Sequence, residues 1–494
     1  MPDTAALTPP PLYAAHRKIY PRAVKGRVRS IKWVVLIVLL GIYYILPWIR
    51  WDRGPGVPDQ AVLADIANAR LFFFWIELWP QEIYFLTGFL ILGAIGLFAA
   101  TSLFGRVWCG FTCPQTVWTD LFLWIERQIE GDRNARIKRD AGPPSRDRTL
   151  RRIAKHAAWI VIAAATGGAW IMYFQDAPTV VVQLLTGAAS AQTYFWFGLF
   201  TATTYVLAGF AREQVCTYMC PWPRFQGAML DQDSLVVTYR EWRGEPRGKL
   251  KEAGHGDCID CGACVHVCPT GIDIREGQQL ECIGCGLCVD ACDEVMGKVQ
   301  RPQGLIAFET LANLAASTAA TARFQPGPAR FDAGMAARKH LHLLRPRTLM
   351  YAGVLSFVVV IMLGAFLLRE TLTLTVLAER APPYVLLSDG GVRNGYTLKL
   401  ADKTRDAGVY ALVLDGPAGL RLLVQDVETD AAGRPLLPAR PDAVATFRAL
   451  VTAPPGVAIA ESQSLRFRLM DAQGKVVASG DSVFLGPRPI QVRR

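Results

Sequence analysis

Residues 258–292 read CIDCGACVHVCPTGIDIREGQQLECIGCGLCVDAC. Cys258, Cys261, Cys264 and Cys268 follow C-x2-C-x2-C-x3-C with Pro269 next. Cys282, Cys285, Cys288 and Cys292 repeat the spacing, with Asp293 where a proline is usual. This is the double run of a two-cubane iron–sulfur protein, in which the fourth cysteine of each motif serves the other cluster. One [4Fe-4S] cluster is therefore expected on Cys258, Cys261, Cys264 and Cys292, and a second on Cys282, Cys285, Cys288 and Cys268. Three thiolates in a tight loop reach three corners of a cubane, and the fourth must arrive from elsewhere. Gly262, Gly284 and Gly286 let the backbone bend close to the cluster, where a Cβ would obstruct. Zinc usually takes two separated C-x2-C pairs, a poor match to this doubled pattern.

Outward from this stretch the chain is unusually apolar. It has 494 residues, 51% of them hydrophobic, with a mean hydropathy of +0.23. Membrane spans are expected over residues 31–49, 83–104, 157–174, 194–210 and 349–368. The net charge of +11 flanks these runs and reads as a topology signal, with no nucleic-acid partner. Basic residues crowd the 1–30 arm, the 105–152 loop and the 212–347 segment, while 175–192 holds no Lys or Arg. The positive-inside rule then puts the clusters in the cytoplasm and, after five spans, the C-terminal part outside. In a Gram-negative cell that makes the chain a multi-pass inner-membrane protein with a periplasmic tail. The segment 71–79 (LFFFWIELW) is too short to span and is expected in the interface. From Tyr384 short β-like runs alternate with turn signals such as SDGG, DGPAG and DAQG, the texture of a small β-sandwich.

The expected organisation is a 1–30 cytoplasmic arm and a 31–230 four-helix membrane domain, then a 231–347 cytoplasmic ferredoxin domain. A fifth transmembrane helix at 348–370 and a β-sandwich at 380–494 complete it. The fold class is a multidomain membrane protein: an α-helical bundle, a two-cluster ferredoxin-like insert and an all-β tail.

The membrane domain contains an internal repeat. One span ends RVWCGFTCPQTVW, and another ends REQVCTYMCPWPRF. Each carries C-x3-C-P, an aromatic at the second intervening position (Phe111, Tyr218) and an arginine shortly before (Arg106, Arg212). On a continuing helix, cysteines four apart share a face, and Pro114 and Pro221 would mark the helix ends. The two spans would gather Cys109, Cys113, Cys216 and Cys220 at the cytoplasmic rim. Four such thiolates suit Cu(I), zinc or an iron–sulfur cluster, or could act as redox dithiols. A lone buried cysteine is most simply a small hydrophobe, but a duplicated motif argues for chemistry.

These features together resemble the CcoG (also FixG or RdxA) family, membrane accessory proteins for cbb3-type cytochrome c oxidase. Further matches are WPQEIYFLTG (79–88), LSDGGVRNGYTLKL (387–400) and RPRTLMY (345–351). The stretch RAPPYVLLSDG (380–390) is a little divergent from the family's usual entry to its tail. The resemblance implies an immunoglobulin-like tail and the eight ferredoxin cysteines as cluster ligands. It implies that the rim cysteines form a copper or third redox site, and that the chain reduces Cu(II) to Cu(I) as an oxidoreductase. The partners it implies are a cytoplasmic electron donor, copper ions, a copper-exporting ATPase and the oxidase assembly machinery; a homodimer stays open. NapH-like polyferredoxins share the C-x3-C-P spans and are expected to lack the last span and tail. Two alternatives remain from the residues: a polyferredoxin-type electron conduit for a quinone-linked chain, or a non-enzymatic oxidase assembly scaffold.

Overall fold

Helix α1 (Arg27–Ile45) begins at Gly26, which offers no side-chain cap. Its cap comes from far along the chain: the Asp290 carboxylate accepts from Val28 N at 3.1 Å and Arg29 N at 2.7 Å. Asp290 lies inside the second cysteine motif, so the start of α1 is fastened to the ferredoxin segment. This computed structural model describes residues 18–487 except 55, 251, 253, 341, 404–407, 440–442 and 458. Residues 1–17 of the expected arm and the end of the expected tail lie outside the described residues.

Helix α2 (Tyr84–Phe104) leads to the first C-x3-C-P motif, and α3 (Pro114–Glu130) and α4 (Arg133–Ala141) follow it. Helix α5 (Arg146–Met172) is capped by Ser145, α6 (Ala177–Thr186) by Asp176 and α7 (Ala191–Val206) by Ser190. The last long helix is Pro346–Leu367. Among the described residues four helical segments are long and apolar enough to cross a membrane: Arg27–Trp48, Pro80–Phe104, Ala191–Ala211 and Pro346–Leu367. They coincide with four of the five expected spans. The remaining expected span, 157–174, falls in α5, which is 27 residues long but is not among the four.

Charged residues in its first turns (Arg146, Asp147, Arg148, Arg151, Arg152 and Lys155) lower the hydropathy of α5. A Cβ on Gly167 would meet Thr201 N at 2.9 Å and Phe197 O at 3.0 Å, so α5 and α7 approach closely. Small residues at such a helix contact permit close packing. α5 also rises beside α1. Tyr43 donates to Thr166 O at 2.8 Å and Tyr173 to Tyr43 O at 3.0 Å at one end. At the other end Lys32 and Lys155 are held by α3 carboxylates, Asp120 at 3.0 Å and Glu130 at 2.8 Å.

On the side away from the cysteines, strands β1 (Val62–Asp65), β2 (Arg70–Phe73) and β3 (Ile76–Leu78) form an antiparallel meander. The segment LFFFWIELW is thus a hairpin, with Phe73 and Trp75 exposed.

The ferredoxin segment is framed by antiparallel β4 (Leu235–Tyr239) and β5 (Ile306–Thr310). Its two short helices, Ala263–Val267 and Leu287–Lys298, are each entered through a left-handed glycine, Gly262 (φ 65) and Gly286 (φ 68). This repeats the internal symmetry of the cysteine spacing. Val237, Tyr239, Ile274, Met296, Leu305 and Ile306 close a core around the thiols.

The second compact unit, Leu363–Arg494, is a sandwich of two antiparallel sheets. One runs β10 (Arg421–Val424), β12 (Ala443–Ala453), β8 (Val392–Asp402), β6 (Leu372–Ala378), with β7 (Val385–Leu386) also on β8. The other runs β11 (Leu436–Ala439), β9 (Gly408–Asp415), β13 (Ser462–Met470), β14 (Val476–Leu485). Period-two burial along β8 points Tyr396, Leu398 and Leu400 inward, as a one-sided sheet requires. Tyr396 reaches across to donate to Val483 O at 2.8 Å. The first strand, β6, precedes residue 380.

Candidate functional site

Helix α2 stops at Phe104 because Gly105 turns the chain with φ 63, a position where a Cβ would strike Leu235 O at 2.0 Å. The motif that follows is a separate π turn, Trp108–Thr112, closed by Cys113 N to Trp108 O at 2.8 Å. The second copy does the same. α7 passes through a π turn at Leu207–Ala211, kinks at Arg212 (φ 39), and forms Val215–Met219, closed by Cys220 N to Val215 O at 2.8 Å. The expected continuing α-helix is therefore replaced by a five-residue turn. Pro114 and Pro221 open the next helices, α3 and Trp222–Met229, because a missing N–H costs nothing at a helix start. The repeat also registers differently from the sequence pairing: Gly105 and Arg212 are equivalent kinks, each four residues before the first cysteine. Arg106 and Arg212 consequently have different tasks.

Cys109 is buried, and Cys113, Cys216 and Cys220 are half-buried. Burial, then the nearby Cys113 and Cys216, pushes the Cys109 thiol up to about 12. Burial, then Cys113 and Cys220, does the same for Cys216, also to about 12. The rim thiols therefore lie within one another's field, and their joint ionisation needs a positive charge to replace the protons. Among the described residues no three of the His, Cys, Asp and Glu side chains converge tightly enough for a single metal ion. Cys109 Sγ donates to Gln226 Oε1 at 2.9 Å, and Gln226 Nε2 donates to Thr101. Nothing in the sequence marks Gln226.

Cys268 of the first motif lies with the thiols of the second. Cys268, Cys282, Cys285 and Cys288 line one cavity with Cys264, Ile272, Ile274 and Ile283. Cys292 lies in the field of Cys264, Cys258 and Cys261, which with burial pushes it up to about 12. Backbone N–H groups of Gly284, Leu287 and Val265 point at the sulfurs of Cys282, Cys285 and Cys264. An apolar cavity, converging thiols and amide donors aimed at sulfur fit a cubane. Cys261 is exposed, while Cys285 and Cys292 are buried. The Asp293 carboxylate takes Gly304 N at 2.7 Å. Tyr239 is buried at the end of β4 and donates to Glu245 at 3.1 Å. Burial, then the neighbouring Cys258, raises its pKa, so the hydroxyl stays protonated beside that sulfur. A lone tyrosine before the cysteines gave no signal of this in the sequence.

The two constellations touch. A Cβ on Gly110 would lie 2.8 Å from Gly284 O and 3.1 Å from Cys285 Cα. Cys109 and Cys285 belong to one buried cluster with Ile283, Leu287 and Ala291. Arg106 donates to Cys282 O at 2.7 Å, to Pro223 O at 3.1 Å, and to Leu280 O.

Apolar helices long enough to cross a bilayer and a doubled cysteine run docked on their rim define a membrane-bound iron–sulfur electron-transfer protein. The chain belongs to the FixG/RdxA family. It is 51% identical to "Nitrogen fixation protein FixG" of Rhizobium meliloti over 90% of this chain and 88% of that one. To "Protein RdxB" of Cereibacter sphaeroides it is 49% identical over 86% and 87%, and to "Protein RdxA" of the same organism 47% over 97% and 99%. Residues 211–311 match the 4Fe-4S dicluster domain, 86–130 a 4Fe-4S binding domain, and 362–487 the IG-like fold at the C-terminus of FixG. The resemblance read from the cysteine motifs and the tail is borne out.

Proposed function

We propose that this chain carries electrons from a cytoplasmic donor to Cu(II) at the rim thiols, reducing it to Cu(I) for assembly of a cbb3-type oxidase. The observation that carries this reading is the contact of Gly110 with Gly284, which seats one rim motif against the second ferredoxin motif. Bound cubanes supply one-electron storage and relay. The chain's own residues set the route. Cys258, Cys261, Cys264 and Cys292 hold the outer position, where Cys261 meets solvent. Cys268, Cys282, Cys285 and Cys288 hold the inner one against the rim. Cys109, Cys113, Cys216 and Cys220 then receive the metal substrate. One electron converts Cu(II) to Cu(I), which thiolates bind well, and the ion passes to a copper-exporting ATPase. In this reading the clusters face the cytoplasm of a Gram-negative cell, α5 is the third of five spans, and the sandwich is periplasmic, docking the assembly machinery.

A second reading is favoured by one observation: the 4Fe-4S binding match at 86–130 contains Cys109 and Cys113. There the four rim cysteines hold a third cubane. Anaerobic purification with metal analysis separates the two. About eight irons per chain, with copper bound and reduced by the wild type but not when all four rim cysteines are serine, supports copper reduction. About twelve irons falling to about eight in that variant supports the third cubane. Unchanged copper reduction in the variant rejects the rim as the reducing site.

A further inference from the structure

The buried arginines around the two cysteine constellations are almost uniformly matched to carboxylates. Arg29 faces Asp120 at 3.1 Å, Arg136 and Arg212 face Glu126 at 2.8 and 2.9 Å, Arg240 faces Glu309 at 2.7 Å, and Arg345 faces Asp231 at 2.7 Å. Arg106 departs from this pattern. It is 8% exposed, and among the described residues no carboxylate lies within ion-pair distance of it. Its guanidinium is gripped by the carbonyls of Leu280, Cys282 and Pro223, and its Nε has no hydrogen-bond partner. Its stem packs on the inner cluster loop, for a Cβ on Gly284 would lie 3.1 Å from Arg106 Cβ.

A buried charge without a counter-charge is strongly unfavourable. The groups around Arg106 show where the counter-charge belongs. Its guanidinium holds the main chain of the ligand Cys282 at 2.7 Å, its stem packs on Gly284 of the same loop, and Cys109 follows three residues along its own chain; the charges of Cys282, Cys109 and Glu281 act against the loss of basicity that burial imposes on it. A cubane held by four thiolates is a net anion, and gains a further negative charge when it accepts an electron.

We infer that Arg106 is a positioning residue whose fixed positive charge is the counter-ion of the inner cubane and of the rim thiolates, raising the potential of the inner cubane and fastening its loop to the rim. The inference rests on the iron–sulfur part of the proposed function and is independent of copper. It also separates the two halves of the repeat. Arg212 is paired with Glu126, whereas Arg106, on the side that touches the ferredoxin segment, has no carboxylate partner among the described residues.

The test is an EPR-monitored redox titration of the full-length protein, purified anaerobically without copper, as wild type, Arg106→Gln and Arg106→Lys. Iron content is measured first: absence of iron in the wild type rejects the cluster reading itself. With clusters loaded, Arg106→Gln is expected to disfavour reduction of one cubane at least tenfold, 59 mV for a one-electron couple. That cubane is the one whose signal Cys282→Ser alters; the other keeps its potential. Arg106→Lys, which retains the charge and loses the fork, restores most of the shift. Identical potentials in wild type and Arg106→Gln overturn the inference. Should Arg106→Gln fail to load its clusters, Arg106→Lys decides. A loaded Lys variant near the wild-type potential supports the charge role. Failure of both variants to load overturns it in favour of a grip made by hydrogen bonds alone.

Discussion

Gly110→Ala is the sharpest perturbation of the contact between the rim and the ferredoxin segment. The added methyl would sit 2.8 Å from Gly284 O, 3.0 Å from Gly284 C and 3.1 Å from Cys285 Cα, where ordinary contact begins at 3.4 Å. All three neighbours are backbone, so no side chain can swing aside. The facing surfaces must part by about 0.6 Å for the closest contact to reach 3.4 Å. Overpacking of this kind costs about 1–3 kcal/mol. Gly110 is not at a positive φ, so the effect is steric and carries no added backbone strain. The variant should keep its full iron content, since the atoms nearest the methyl are main-chain atoms of the loop, while its thermal midpoint in detergent falls. The rate at which pre-reduced protein is reoxidised by Cu(II) should fall too. Gly93→Ala is the control: it lies on α2 with nothing within 4 Å of the added carbon, and Ala is the better helix former. Wild-type stability and reoxidation kinetics in Gly110→Ala would refute the reasoning, because the two surfaces would then not be in contact.

Other outcomes follow from the same geometry. Tyr239→Phe removes the hydroxyl that donates to Glu245 beside Cys258 and should shift the potential of the outer cubane by roughly a few tens of mV, against 59 mV for a tenfold effect. An unchanged EPR titration would show that the hydroxyl does not act on the Cys258 sulfur. Glu126→Gln leaves Arg136, Arg212 and Lys155 around a neutral amide and should destabilise the protein by about 3–5 kcal/mol, read as a lowered thermal midpoint. Asp140 is held to about 2: burial would raise it, and hydrogen bonds from Lys18 and Tyr20 outweigh that. Its depressed pKa means the contact is fully present above the ordinary carboxylate value near 3.9 and is lost as pH falls toward about 2. Hydrogen exchange at residues 18–23 should accelerate over that window and, in Asp140→Asn, already at neutral pH.

Much of the architecture was legible because it depends on local pattern. The doubled C-x2-C-x2-C-x3-C run requires no tertiary information to read, since cluster geometry itself dictates the spacing. Hydropathy located the long helices, α5 among them, because lipid-facing residues must be apolar along their whole length. The β-texture after Tyr384 identified a sandwich, since one-sided burial imposes period two.

Where pattern reading failed, a distant contact was responsible. The first C-x3-C motif left the α-helical register after Gly105, which passes against Leu235 O, on a strand over a hundred residues away. The two arginines looked equivalent, and only their surroundings separate them: Glu126 lies beside Arg212, and the carbonyls of the cluster loop lie around Arg106. The sequence by itself determined which atoms can ligate iron and which segments are apolar, because spacing and composition are properties of the chain. The tertiary structure alone decided that the second cysteine loop lies on the first rim motif and that Asp290 caps α1. Burial and electrostatic pairing arise between residues that are far apart until the chain has folded.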